Sequence, residues 1–501
     1  MKILPIPLVR KADAYTIKNE PIADIDLMER AAGACFKWIE LKIGRDRKIK
    51  IFCGSGNNGG DGLAIARMMA GAGYNVEAFV MAPPEKMSPN CLANYMRMQE
   101  CRIIEDVDDL PVIDRSDVVI DAIFGSGLTR PVEGFTGAVI EHINSSGALI
   151  VAIDVPSGLF GDETTPSGSK AAVIRADYTL TFSPPKLAFF FPENDRFAGD
   201  WQLLDIGLAQ EFIDSASVAN FTLEKEDVRQ ILKKRDKYSH KGTFGHALLI
   251  CGSTGKMGAA VLSAGSCLRS GSGLVTVSVP QSGVAILQTA VPEAILAIDD
   301  DQDCFTKVPV LAAYSAIAAG PGLGTSPETA SALKVLIQET KIPLIFDADA
   351  INLLSENRTW LGFIPENSIF TPHPKEFERL VGKSSDNFER NRMQREFSRK
   401  FRCIVVLKGA NTAITTPDGR CFFNTTGNPG MATGGSGDVL TGIIAGLMAQ
   451  GYTPLECCLL GVFIHGAAGD LAAETNGFEA LIAGDITEYL GKSFISLYGK
   501  F

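Results

Sequence analysis

A chain of 501 residues exceeds what one ordinary hydrophobic core supports and predicts two or three domains. Hydrophobic residues make up 46% and charged ones 21%, a globular composition, and no run of about 18 or more apolar residues predicts a membrane span. The formal net charge of −11 argues against a nucleic-acid binder, whose affinity rests on basic surface, so an anionic ligand must be held by local amides, single cations or metal ions.

The start, Met1-Lys2-Ile3-Leu4-Pro5, has neither the apolar region nor the cleavage site of a signal peptide, which predicts a cytoplasmic protein. Eleven cysteines without a C-x-x-C pair, several inside apolar runs, read as reduced core residues. From Asp13 to Lys42 the spacing is helical, broken near Pro21, and Leu27, Met28, Ala31, Ala32 and Phe36 share one face. Lys48 to Cys53 reads as a strand running into a glycine loop, Gly54-Ser55-Gly56-Asn57-Asn58-Gly59-Gly60-Asp61-Gly62. A helix from Leu63 to Ala72 and a strand from Val76 to Met81 complete a βαβ unit with that loop at the carboxyl end of its first strand. The loop fits neither the dinucleotide nor the phosphate-loop fingerprint, but Asn57, Asn58 and Asp61 are polar side chains that a plain turn does not need together.

Two more strands end alike. Asp117 to Phe124 runs into Gly125-Ser126-Gly127-Leu128-Thr129-Arg130-Pro131, and Leu149 to Ile153 runs into Asp154-Val155-Pro156-Ser157-Gly158. Carboxyl ends of parallel strands converge on one crevice, where Asn58, Asp121, Asp154 and Ser157 are expected to meet. Asp121 lies inside an apolar strand and must be paired or bound to a cation; with carboxamide and hydroxyl oxygens nearby, a monovalent ion suits. Asp154 is the acid/base candidate, a strand-end carboxylate whose pKa is expected to rise towards the working range in a partly dry crevice. For each carboxylate a cap or turn role is the alternative.

These motifs, with Leu27-Met28-Glu29-Arg30-Ala31-Ala32, resemble the N-terminal domain of the bifunctional NAD(P)H-hydrate repair enzymes over roughly residues 1–210. The resemblance implies a Rossmann-like α/β/α fold that epimerises C6 of hydrated NADH or NADPH. It implies a potassium ion at Asn58, Asp121 and Ser157. It also implies that the damaged cofactor lies along Asn57, Asn58, Gly59, Gly60 and Asp61 and along Gly125 to Pro131, with the catalytic Asp154 beside the ring.

Strand-like Tyr178 to Phe182, the Pro184-Pro185-Lys186 turn and Asp205 to Leu208 precede a patternless stretch, Ala209 to Phe221, where the domain boundary is expected. The second part opens with a polar loop from Lys237 to Gly245, followed by strand His246 to Cys251, helix Met257 to Arg269 and strand Leu274 to Val279. Four further strands lead into distinctive loops: Gly320-Pro321-Gly322-Leu323-Gly324, Asp347-Ala348-Asp349-Ala350, Thr371-Pro372-His373-Pro374-Lys375-Glu376 and Lys408-Gly409-Ala410-Asn411-Thr412. His373, fixed between two prolines, is either structural or part of a site; Lys408 is a point charge for phosphates or a solvated lysine. Gly434-Gly435-Ser436-Gly437 then permits unusual backbone angles before a helix from Val439 to Met448, so amides at the helix start form an anion nest. Asp438 stands at the mouth of that nest. A carboxylate there is unfavourable unless it takes a proton from a hydroxyl that attacks phosphorus, the alternative being a helix cap.

This second series resembles ribokinase-like folds and, more narrowly, the ADP/ATP-dependent NAD(P)H-hydrate dehydratases over residues 222–501. It implies nucleotide binding by Lys408, Gly409, Ala410, Asn411, Thr412 and Gly437, contacts to the hydrated cofactor from Ala259, Gly322, His373 and Asp438, and catalysis by Asp438. Together the two resemblances imply an epimerase domain at 1–214 and a dehydratase domain at 222–501, using ADP and magnesium on the S form. They imply partners limited to NADHX, NADPHX and ADP, a homo-oligomer, no nucleic acid and no membrane. A kinase of small hydroxymethyl compounds and a nucleotide-binding scaffold with a recruiting first domain are the rival readings.

Overall fold

The computed structural model describes residues 1–98, 100–166 and 171–498. They form two compact units, one spanning Lys2–Val218 and one spanning Ala219–Ser385 and the chain from Glu389 on. In the first unit, strands β1 (Lys48–Cys53), β2 (Asn75–Val80), β3 (Arg102–Ile103), β4 (Val118–Ala122), β5 (Leu149–Ile153), β6 (Tyr178–Phe182) and β7 (Asp200–Leu204) make one sheet. Its order is β3-β2-β1-β4-β5-β6-β7, and all its pairings are parallel. Apolar clusters cover both faces, which is why the central strands read as continuous hydrophobic runs. The winding direction reverses between β1 and β4, so the loops after those two strands flank the crevice where such sheets bind ligands.

The glycine loop after β1 is shorter than expected. The helix that follows begins at Asn57 rather than near Leu63 and runs to Gly71, with Gly56 as its N-cap. The reason is steric: a Cβ on Gly59 would stand 1.9 Å from the Gly54 carbonyl oxygen, and one on Gly62 would stand 2.5 Å from the Ala122 Cβ. These glycines seat a helix tightly on the sheet instead of loosening a loop. The expected helices at the start occupy Ile6–Asn19 and Asp24–Lys42, with Leu27, Met28, Ala31 and Ala32 buried and Phe36 half-buried.

In the second unit the strands from Asn220 onward are β8 (Asn220–Thr222), β9 (His246–Ile250), β10 (Leu274–Val279), β11 (Ile295–Ile298), β12 (Ala316–Ala319), β13 (Leu344–Phe346), β14 (Ile369–Phe370), β15 (Ile404–Leu407), β16 (Thr412–Thr415) and β17 (Cys421–Asn424). They lie in the order β8-β17-β16-β15-β14-β13-β12-β9-β10-β11. Pairing is parallel from β15 through to β11, while β16 is antiparallel to both its neighbours. Here the reversal falls between β12 and β9. The nest helix runs Ser436–Ala449 and packs on Met257–Arg269 so closely that a Cβ on Gly442 would stand 2.2 Å from the Ser263 carbonyl oxygen.

Among the described residues one helix, Pro454–Asn476, is by mean hydropathy long and apolar enough to cross a membrane, although Glu456 and Asp470 interrupt its apolar run, and 61% of its most apolar window is buried. It forms part of the second unit's core, which accounts for apolar residues on all its sides. Of the eleven cysteines, all unpaired, nine are buried.

Candidate active sites

A cavity of about 540 Å³ opens at the reversal point of the first sheet. Asn57, Asn58 and Asp61 from the helix after β1, the whole of Gly125 to Arg130 after β4, and Asp154 after β5 line it, together with Arg10, Asp13, Asp24 and Lys186. Among the residues anticipated here, Gly59, Gly60 and Pro131 are not on its wall. Gly60 instead packs under Met28, whose sulfur lies 2.8 Å from where a Cβ would be.

Asp154 holds a left-handed backbone angle (φ 65°) uncommon for a residue with a side chain, a strain typical of functional positions. One of its carboxylate oxygens accepts the Ser126 amide at 3.0 Å, and the other meets the Lys186 ammonium at 2.5 Å. The anticipated rise in its pKa does not occur. Burial pushes it up, but the charge and hydrogen bond of Lys186 and the bonds from Ser126 outweigh burial, so Asp154 stays below the ordinary carboxylate value. Lys186 is itself buried and also donates to the Phe182 carbonyl at 2.8 Å. Its neighbours move the other way. Burial, helped by Asp154, lifts Asp13 to about 6, and burial with Asp154, Asp13 and Asp24 lifts Asp61 well above its ordinary value.

Behind the cavity wall, Asp121 is fully buried and accepts the Ser157 hydroxyl at 2.6 Å and the Ser157 amide at 2.8 Å. Burial still lifts it to about 6. The Asn58 amide oxygen and nitrogen are both buried without a hydrogen-bond partner among the described residues, an arrangement that natural interiors avoid unless something binds there.

In the second unit the expected nest is present, with its helix starting at Ser436 behind Gly435 (φ 93°). Asp438 sits in the first turn, yet its carboxylate makes no capping bond and no other hydrogen bond among the described residues. Burial and the nearby Asp347 raise it to about 6 despite the attraction of Lys408. Lys408 is drawn to Asp347 at 2.9 Å, and its ammonium lies 3.2 Å from where a Gly437 Cβ would be, which puts it at the helix start. Asp347, buried, also accepts the Thr441 hydroxyl at 2.8 Å. Behind the nest, His465 donates to the Ser436 carbonyl at 2.9 Å, and burial drives its pKa down to about 4, so the ring is neutral.

Gly322 takes φ 59°, and a Cβ there would stand 3.0 Å from the Ala259 Cβ, so these two lie together at the reversal point of the second sheet. His373 caps the helix Pro374–Val381: its Nδ1 accepts the Lys375 and Glu376 amides at 3.1 and 3.3 Å. The structural role anticipated for it is therefore real, while its ring still feels the charges of Lys408 and Asp347. Gly409 and Thr412 close a turn through the Thr412 hydroxyl, donating to the Gly409 carbonyl at 3.0 Å, with Ala410 and Asn411 at its tip. Lys186, Asp347, Thr441 and His465 escaped the sequence reading as site residues. Lys186 and Asp347 were signalled by their place at strand ends, whereas nothing local marked Thr441 or His465, which lie on apolar helices.

Two family models match the chain, one described as YjeF-related protein N-terminus over residues 24–188 and one as NAD(P)H-hydrate dehydratase over residues 247–492. The bifunctional NAD(P)H-hydrate repair enzyme Nnr of Moorella thermoacetica is 36% identical over 94% of this chain and 92% of its own. That of Thermofilum pendens is 35% identical over 100% and 98%. The chain belongs to the bifunctional NAD(P)H-hydrate repair enzymes. It is thus a two-activity enzyme, epimerase and dehydratase, acting on hydrated NADH and NADPH, with an N-terminal Rossmann-like domain and a C-terminal ribokinase-like one. A solved structure of the ADP/ATP-dependent NAD(P)H-hydrate dehydratase of Bacillus subtilis, co-crystallised with ATP/Mg2+, is 31% identical over 55% of this chain and 98% of that one, with a TM-score of 0.49. For a member of this family, the two sets of strand-end residues are the places to seek its two reactions.

Proposed function

We propose that residues 1–214 carry the epimerase and residues 222–501 the dehydratase, with Asp154 and Asp438 as their respective bases and ADP as the phosphoryl donor. The observation that carries the dehydratase reading is Asp438, unbonded at a helix start beside Lys408, with a pKa lifted to where a base works near neutrality. Its carboxylate accepts the C6 hydroxyl proton as that oxygen attacks the terminal phosphorus and the bond to the AMP oxygen breaks. Amides of Ser436 and Gly437 and the Lys408 ammonium, oriented by Asp347, hold the developing negative charge. The ring nitrogen's electron pair then expels phosphate from C6, and loss of a C5 proton restores the dihydronicotinamide. The turn from Gly409 to Thr412 is assigned to the nucleotide, and Ala259, Gly322 and His373 to the hydrated cofactor.

Magnesium suits the second site as an ion carried on the nucleotide. Among the described residues no group of three His, Cys, Asp or Glu forms a cage, and magnesium commonly binds phosphates with only one or two carboxylates, here Asp347 or Asp349. When bound it neutralises phosphate charge. Potassium suits the first site, where the unpartnered Asn58 amide oxygen, Asp121 and Ser157 would hold it and brace the loops around the damaged ring. Eleven unpaired cysteines suit a reducing cytoplasm.

The deciding experiment incubates purified protein with S-form hydrated NADH and ADP, then quenches it for mass spectrometry. Inorganic phosphate, AMP and intact NADH should appear in equal amounts. Accumulation of a phosphorylated ring compound would instead favour a small-molecule kinase.

A further inference from the structure

Asp61 lines the first cavity, is only 8% exposed, and its carboxyl makes no hydrogen bond among the described residues. It shares that cavity with Asp154, whose negative charge is fixed by the Lys186 ammonium. Asp13 and Asp24 line the cavity too, and carboxylates in one small enclosure resist ionising together, so the proton remains where no cation is bonded; of the three that lack one, Asp61 is the most buried. Environments that separate two such groups in this way make one an acid and the other a base. Asp61 is also held firmly, because the turn that carries it is wedged by Gly59 and Gly62 against the first sheet. Next to it Asn58, itself 8% exposed, leaves both amide atoms unpartnered on the same wall, which points to a ligand filling this space.

We propose that Asp61 is the general acid of the epimerase, giving its proton to the C6 hydroxyl while Asp154 acts as the base. This rests on the assignment of epimerisation to this cavity. The Asp61 proton passes to the C6 oxygen, the C6–O bond breaks with its electron pair leaving as water, and the ring nitrogen's lone pair forms a C6=N bond. Water then adds to the opposite face, its oxygen bonding to C6 as the nitrogen regains its pair and Asp154 takes the released proton. No electron is gained or lost overall. The enzyme is left with one proton moved from Asp61 to Asp154; exchange with solvent resets it, and the reverse reaction begins from this exchanged state.

The test uses the full chain and the R epimer without nucleotide, following the S epimer by chromatography. Asp61→Asn keeps the shape and lacks the acidic proton, so kcat should fall at least about 10²-fold with little change in KM. Wild-type kcat should rise on the acid side as Asp154 ionises and fall on the alkaline side as Asp61 loses its proton, and Asp61→Asn should lack that alkaline fall. The charged groups that share the cavity with Asp61 are Asp154 with Lys186 at the strand ends, Asp13, Asp24 and Arg10 on the first two helices and Arg130 after β4, and the buried thiols of Cys35, Cys53 and Cys91 interact with it through space. Removing the charge of Asp13 with Asp13→Asn should therefore move the alkaline fall to lower pH. In water enriched in heavy oxygen, each wild-type inversion should place one labelled oxygen on C6, a measurement that needs no variant. Undiminished kcat in Asp61→Asn, an alkaline fall that survives in it, or inversion without oxygen exchange would each overturn the proposal. Inversion undiminished in both Asp61→Asn and Asp154→Asn would overturn the cavity's assignment itself.

Discussion

The two aspartates proposed as bases, Asp154 and Asp438, have surroundings that differ in kind. Asp438 has a nearby lysine that is already committed to Asp347, so burial prevails and its pKa stands at about 6. As a base it must be ionised, so dehydratase kcat/KM should drop as pH falls through about 6 and level off above it. Asp438→Asn should lower the dehydratase rate roughly 10²–10⁴-fold and leave epimerisation intact, and a near wild-type rate would remove Asp438 from the mechanism. Asp154 is bonded to its own lysine, which against the effect of burial holds its pKa below the ordinary carboxylate value. Asp154→Asn should abolish conversion of the R epimer while the S epimer is still dehydrated at the normal rate. That contrast, measured with each epimer separately, distinguishes a base from a turn residue.

A helix start carries Asp438 and a strand end carries Asp154, and glycine sets how closely the first of these elements approaches its support. Gly442 lets Ser436–Ala449 lie on Met257–Arg269, where the Ser263 hydroxyl also reaches the Asp438 carbonyl at 3.0 Å. A methyl group at Gly442 would collide with backbone, which cannot rotate away as a side chain can. Gly442→Ala should therefore destabilise the dehydratase domain by about 1–3 kcal/mol and displace Asp438. A lowered melting transition with reduced dehydratase and unaltered epimerase activity is the expected result. His465 supports the same helix start from behind, through the Ser436 carbonyl.

Each proposed reaction site lies where its own unit's sheet reverses direction, so on that assignment the two activities should respond separately to their ions. If Asn58, Asp121 and Ser157 hold potassium, exchanging it for a bulky organic cation at constant ionic strength should lower the thermal stability of the epimerase domain or its hold on cofactor. The dehydratase should be insensitive to that exchange as long as magnesium and nucleotide are supplied. Equal responses of both activities would argue against a potassium site confined to the first domain.

Much of this was readable from the chain alone because strands and the loops at their carboxyl ends are local patterns. The βαβ order, the loops after β1, β4 and β5, and the nest before Val439 all follow from runs of apolar residues ending in glycine and aspartate. Side-chain partnerships across the sheet left no such trace. Lys186 meets Asp154 from 32 positions away, Lys408 meets Asp347 from 61 away and Thr441 meets it from 94 away, and these distant contacts decide which carboxylate is ionised. A strand-end aspartate is thus predictable from pattern, but its pKa is not, because burial and the nearest cation act through space rather than along the chain. Asp154 makes the point: its position was legible, and the direction of its shift was reversed by a lysine that only folding brings to it.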